Sequence, residues 1–281
     1  MTVTVTPAND VLGAFIDGIQ VADCTDAELD VVKQAYVDHA VVFFRDQQLT
    51  EDQHIAFAER WSAINVNRFF PAVGSHPTIA EVRKEPDQRS NIGSSFHTDH
   101  SYDQVPAMGS ILYAREVPPV GGDTIFASQY AAYDALSDGM KATLATMEAV
   151  HSSRHALGVA AETYGSDQTY LNAEAATQDA VHPVVIRHPL SGRPALYVNG
   201  DFTTRFNGWR RLESLPLLEQ LFTHARSAEF TYRFSWEVGS MAIWDNRAVQ
   251  HAAMNDYHGH RRLMHRITLE GEPIEAFTPI G

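Results

Sequence analysis

Apolar and polar positions alternate along this chain in two periods, and the boundaries between them predict its elements. In "FTYRFSWEV" the aromatic Phe230, Tyr232, Phe234 and Trp236 alternate with Thr231, Arg233, Ser235 and Glu237, the period of a strand with unlike faces. The same reasoning predicts strands in "AVVFF" (40–44), "GSILYARE", "DTIFAS", "AVHPVVIRHP", "PALYVN", "SMAIWDN" and "LMHRITLEG", and one or two in "VLGAFIDGIQVAD". Helical spacing appears in "TDAELDVVKQAYVDHA", where Leu29, Val32 and Tyr36 share a face and Thr25 with Glu28 forms a capping box. "LTEDQHIAFAERW" repeats the signal with Thr50 and Gln53, and further helices are expected around 128–148 and 213–226. Strands dominate the centre and the C-terminal half, without repeats or linkers. The pattern predicts one domain over 1–281, mainly β with flanking helices (α+β): an antiparallel core, expected to be a two-sheet jelly roll.

Composition narrows the function classes. A formal charge of −14 disfavours nucleic acid, whose sequence-independent binding needs clustered Lys and Arg. No apolar run approaches membrane-spanning length, and "MTVTVTPAND" lacks the basic end and apolar stretch of a secretory signal. With Cys24 as the single cysteine, neither an intramolecular disulfide nor a thiolate zinc site can form, and a reducing cytoplasm is the expected compartment.

Candidate chemistry begins at "FHTDH" (96–100). Fourteen histidines and 35 acids would yield roughly two His-x-acid triplets by chance, so the triplet is weak evidence alone. In an extended segment, however, His97 and Asp99 project from one face. His251, just beyond the apolar strand "SMAIW", could converge on them at a sheet rim. Two histidines and one carboxylate on one face of an ion leave coordination positions open, as in O2-activating non-haem Fe(II) enzymes. The bland alternative is a turn residue, a solvated acid and a packed histidine. His258 and His260 are read as solvent-exposed loop residues. In "HRRLMHRITLEG", Arg262, Met264 and Arg266 share one face of a strand; the two cations line either the inside of the roll, where each would need an anion, or an exposed basic edge.

The ordered blocks "VVFFRDQQLTEDQHIAFAERW", "FHTDHSY", "VPPVGGDTIFAS", "HPVVIRHPLSGRPALYVNGDFTTRF" and "WDNRAVQHAAMNDYHGHRRLMHRITLEG" resemble the taurine dioxygenase and 2,4-dichlorophenoxyacetate dioxygenase family of Fe(II)- and 2-oxoglutarate-dependent oxygenases, over about residues 10–275. The resemblance implies a double-stranded β-helix of the cupin-like kind. It implies His97, Asp99 and His251 as Fe(II) ligands, Thr124 and Arg262 as the clasp for the distal carboxylate of 2-oxoglutarate, and O2 as oxidant. Arg266 corresponds to the arginine that grips the acidic head of the substrate. Asn67 and Phe70 fall where the family places a His and a Tyr, and Gly93 falls near its Asn. Leu157 stands near a family aromatic, while Tyr102 and Phe202 supply apolar wall. These departures imply a small anionic substrate bulkier and less polar than taurine: an aryloxy or aryl carboxylate, an alkyl sulfonate or a sulfate ester. Hydroxylation would yield succinate and CO2, with cleavage where the hydroxylated carbon bears oxygen or sulfur. The family implies a homo-oligomer, dimer or tetramer. The alternatives are taurine dioxygenase proper, a zinc-dependent hydrolase on the same β-roll, and a non-catalytic binding protein.

Overall fold

The computed structural model describes residues 2–158 and 171–278. In chain order, strands β1 (Thr4–Pro7) and β2 (Ala14–Asp17) precede helix α1 (Asp26–His39), strand β3 (Val41–Phe44) and helix α2 (Glu51–Glu59). Strands β4 (Ile64–Asn65), β5 (Ala72–Val73), β6 (His76–Lys84), β7 (Gly109–Glu116) and β8 (Thr124–Ser128) follow. Helices α3 (Gln129–Asp134) and α4 (Asp138–Leu144) lead to β9 (Glu148–Ser152), β10 (Asp179–Pro183), β11 (Val185–Arg187), β12 (Pro194–Leu196) and β13 (Thr203–Phe206). Helix α5 (Arg211–Ala225) precedes β14 (Thr231–Phe234), β15 (Met241–Asp245), β16 (Val249–Ala253), β17 (Arg262–Leu269) and β18 (Glu275–Ala276).

Both capping boxes form. The Thr25 hydroxyl accepts from the Glu28 N–H, and the Glu28 carboxylate accepts from the Thr25 N–H at 2.8 Å; Thr50 and Gln53 do the same. Each such cap is worth about 1 kcal/mol. Helix α1 stops at Ala40, whose left-handed φ of 63° turns the chain into β3.

The large sheet runs β1-β2-β3-β15-β7-β17-β6-β5, with β4 added on β17. Among the described residues, all strand pairings are antiparallel except β2 with β3, a departure from the purely antiparallel expectation. A second sheet, β14-β8-β16, faces it, and two three-stranded sheets flank the pair. The continuous apolar run of β3 is explained by burial on both sides. Val42 and Phe44 pack with Leu29, Val32 and Tyr36 under the helices, while Val41 and Phe43 enter the space between the sheets beside Leu112, Phe126, Phe234, Trp244 and Met264. There Phe43 stacks on Phe234 at 4.2 Å between centroids. Full burial of such a ring stabilises the fold by about 2–3 kcal/mol.

The helix expected over 128–148 is broken in two. Ser128 and Ser137 cap separate helices, α4 ends at Leu144, and Glu148 already opens β9. The serine between them competes for backbone hydrogen bonds and starts a new helix rather than continuing the old one.

Candidate active site

One strand of the smaller sheet and the segment bridged to it bring the candidate metal ligands together. His251 lies in β16, and the backbone of His97 pairs with it as an isolated bridge: His97 N–H to His251 O at 3.1 Å, and His251 N–H to His97 O at 2.9 Å. Asp99 begins the turn that follows. The turn between β15 and β16 is clamped by a buried ion network, in which Arg247 donates to both Asp245 oxygens (2.9 and 2.8 Å) and His188 Nε2 lies 2.9 Å from Asp245 Oδ2. That clamp fixes where β16 starts and so where His251 lies.

The ligand atoms of His97, Asp99 and His251 all lie within 4.8 Å of one another, and all three residues are buried. His97 Nε2 is 3.6 Å from Asp99 Oδ1, and His251 Nε2 is 3.9 Å from Asp99 Oδ2. His97 Nδ1 faces the Ser95 carbonyl at 2.9 Å, so that nitrogen carries the proton and Nε2 presents a lone pair to the centre of the triad. Burial alone would raise Asp99, yet Arg266 and the two imidazoles hold its carboxyl well below the usual range. Burial pushes His251 down to about 3, keeping it a neutral ligand. Burial opposes charge on His97 too, but Asp99 and Asp201 prevail and raise its pKa. A deprotonated carboxylate and two Nε2 atoms facing one point suit a divalent cation with open positions. Among the described residues no fourth ligand joins them. His100 turns away: in a turn at a left-handed φ of 59°, its Nδ1 lies 3.0 Å from Asp103 Oδ2.

Thr124 and Arg262, the pair expected to clasp 2-oxoglutarate, come from different sheets. Thr124 opens β8, where its Cα partner is Ala253 of β16, two residues beyond His251. The indole N–H of Trp236 donates to Thr124 Oγ1 at 2.9 Å, leaving the hydroxyl proton for another acceptor. Arg262 opens β17; its Nε donates to the Gly122 carbonyl at 3.1 Å, while Nη2 is buried without a partner. Burial lowers the guanidinium pKa. A buried cation with a free donor, beside a hydroxyl with a free proton, has the chemistry of a carboxylate cradle. The strand alternation placed Arg262 and Arg266 on one face, and both line the same pocket as the triad.

Of the residues assigned to the substrate, Phe70, Tyr102, Leu157, Phe202 and Arg266 line that pocket together with Thr124 and Arg262. The Arg266 guanidinium lies 4.7 Å over the Phe70 ring, and Nη1 donates to both Asp99 oxygens at 3.3 Å. Phe202 packs edge-on to His97 (6.1 Å) and to Tyr102 (4.8 Å). Asn67 is not brought into the pocket lining. Its Oδ1 accepts from the Phe69 and Phe70 N–H groups, so the side chain caps its own loop and shapes the backbone that carries Phe70.

Two other contributors, Trp236 and Asp201, were not singled out from the sequence for this site. Trp236 was seen only as part of an alternating face, yet it holds Thr124. Asp201 joins the wall, accepting from the Ser95 hydroxyl. Gly93 has φ +75°, and a Cβ there would stand 3.0 Å from His97 Cε1. Gly93, which the resemblance placed near the substrate-site Asn of the family, lines the pocket.

A family model for "Taurine catabolism dioxygenase TauD, TfdA family" matches residues 4–268. The chain is 32% identical to the alpha-ketoglutarate-dependent sulfate ester dioxygenase of Pseudomonas putida, over 96% of this chain and 88% of the relative. It is 31% identical to the (S)-phenoxypropionate/alpha-ketoglutarate-dioxygenase of Sphingobium herbicidovorans, over 96% and 95%. The crystal structure of AAD-2 in complex with Mn(II) and N-oxalylglycine superimposes with a TM-score of 0.81 at 28% identity, covering 97% of this chain and 99% of that one. With site geometry and comparisons in agreement, the chain belongs to the TauD, TfdA family of dioxygenases.

Proposed function

We propose that this 2-oxoglutarate-dependent non-haem iron dioxygenase hydroxylates a small anionic organic molecule with an apolar body, an aryloxy or aryl carboxylate, an alkyl sulfonate or a sulfate ester. The observation that carries the reading is the convergence of His97, Asp99, His251, Thr124, Arg262 and Arg266 on one pocket whose remaining wall is largely apolar. Named relatives acting on a sulfate ester and on phenoxypropionate support the substrate class. The facing sheets support reading the fold as a double-stranded β-helix, a cupin-like jelly roll forming one domain over 1–281. Family resemblance supports a dimer or tetramer. No described helix is long and apolar enough to cross a membrane, and the single cysteine supports a cytoplasmic setting.

Fe(II) held by His97, Asp99 and His251, with 2-oxoglutarate and O2, supplies the oxidising chemistry that yields succinate, CO2 and hydroxylated product. The protein's own residues bind and aim. Arg262 and Thr124 seat the distal carboxylate of 2-oxoglutarate. Arg266, stacked on Phe70, offers its remaining donors to the acid group of the substrate. Phe69, Phe70, Tyr102, Leu157 and Phe202 enclose the apolar body and exclude water, so the bond facing the metal is set by shape. A carbon bearing oxygen or sulfur, once hydroxylated, collapses to a carbonyl compound and a leaving group.

The test is substrate-dependent O2 uptake with succinate release across taurine, aryloxyalkanoates, alkyl sulfonates and sulfate esters. Fastest uptake is expected with an anion of apolar body. Taurine as the best substrate would make the enzyme a taurine dioxygenase proper. Substrate consumption without succinate would favour the zinc hydrolase, a reading that would also need a general base beside the metal-bound water.

A further inference from the structure

Lys84 is 2% exposed, as deeply buried as the aromatic core, and no function has been attached to it above. It closes β6, where its Cα partner on β17 is Arg262. Directly opposed residues in an antiparallel pair point to the same side of the sheet, so the two cations share a face. Val82, two residues earlier on β6 and on that face, lines the pocket. The Lys84 ammonium donates to Asn255 Oδ1 at 2.7 Å and lies 4.4 Å over the Tyr257 ring. Both partners are neutral.

The acids nearby are already paired. Asp123 takes Arg233 Nε at 2.6 Å, and Glu85 takes Arg261 at 3.1 Å. Among the described residues, neither Lys84 nor Arg262 has a carboxylate partner. Two buried like charges on neighbouring strands disfavour the empty fold, since burying each is costly and Asp123, the acid whose field reaches Arg262, is already bonded to Arg233. A bound anion between the strands and Thr124 relieves both burial costs at once.

We propose that Lys84 is a positioning residue for the co-substrate: it raises the positive potential under the distal carboxylate of 2-oxoglutarate, favouring 2-oxo acids that carry a second carboxylate. The proposal rests on the 2-oxoglutarate reading above and adds a charge behind its clasp. Lys84 acts at a distance, through the field at Arg262, while Asn255 and Tyr257 hold its ammonium in place. A lysine serving only to bond Asn255 would gain nothing from lying opposite an unpaired arginine.

The experiment is calorimetric binding to the Mn(II)-loaded full chain, a readout independent of turnover. 2-Oxoglutarate is compared with 2-oxobutyrate, which has the same keto acid head and no distal carboxylate. Lys84→Met is expected to raise the Kd of 2-oxoglutarate about tenfold. The Kd of 2-oxobutyrate should stay within about twofold, and Lys84→Arg should keep most of the preference. An unchanged 2-oxoglutarate Kd in Lys84→Met overturns the proposal, as does equal weakening of both ligands, which marks a structural role. Should Lys84→Met fail to fold, Lys84→Gln, which still donates to Asn255, carries the same comparison. Failure of the wild type to bind 2-oxoglutarate would remove the underlying reading along with the proposal.

Discussion

Replacing Arg262 should change stability and binding in opposite directions. Its guanidinium is 6% exposed, makes one bond to a neutral carbonyl and leaves Nη2 unpaired. Leaving a charge buried without its partner costs a protein about 3–5 kcal/mol. Arg262→Met removes that penalty and loses one hydrogen bond to a charged donor, about 1.5–3 kcal/mol, while the thioether keeps most of the contact with Trp236. The net expectation for ligand-free protein is a gain of about 1 kcal/mol, a rise in Tm of roughly 2–4 °C at this chain length. The same variant forfeits two charge-assisted hydrogen bonds to the distal carboxylate, about 3–5 kcal/mol, or a 10²- to 10³-fold weaker Kd. Thermal unfolding of Mn(II)-loaded protein with and without 2-oxoglutarate reads both effects. A lower ligand-free Tm, together with an undiminished 2-oxoglutarate shift, would show that Arg262 is a structural residue and that the clasp lies elsewhere.

Three further outcomes follow from the geometry. Gly93→Ala places a methyl 3.0 Å from the His97 ring at a left-handed φ, so it should cost about 1–2 kcal/mol of stability and weaken Mn(II) or Fe(II) binding tenfold or more; unchanged metal affinity on titration would refute the contact. Arg266→Leu should raise the substrate KM by at least about tenfold while leaving the 2-oxoglutarate Kd within about threefold, and equal losses would show the two arginines misassigned. Burial pushes His54 down to about 3, so the folded state keeps it neutral while the unfolded chain takes up a proton below about pH 6.5. Its contribution is therefore full above that pH and is lost as pH falls towards 3, about 1.4 kcal/mol by pH 5.5. His54→Leu should shrink the Tm drop between pH 7.5 and 5.5 by roughly 3 °C, and an identical drop would contradict the assignment.

Part of the candidate site was legible because strand alternation is a local rule: Arg262 and Arg266 had to share a face, and His97 and Asp99 could share one. What alternation could not supply was the partner across the fold. The bridge between His97 and His251 spans more than 150 residues; sheet-rim convergence offered it as a possibility, and the family resemblance singled it out. The strand β6 escaped notice because "HPTIAEVRK" mixes proline, charge and apolar residues without a clean period, and with it went Lys84. The helix over 128–148 was overextended because Ser137 reads as a tolerated polar position until its hydroxyl is seen capping α4. Asn67 was placed by the family resemblance in a loop, and loops carry no period to say which way a side chain turns. Phe70, three residues on, enters the pocket because Asn67 bonds the backbone beneath it.

The central claim is that His97, Asp99 and His251 hold one ferrous ion with room for 2-oxoglutarate beside it. Adding Fe(II) and 2-oxoglutarate without air should produce a visible charge-transfer absorption in the wild-type protein and none in His97→Ala. Absence of the band from the wild type, or its persistence at full strength in His97→Ala, would contradict the assignment of the metal site.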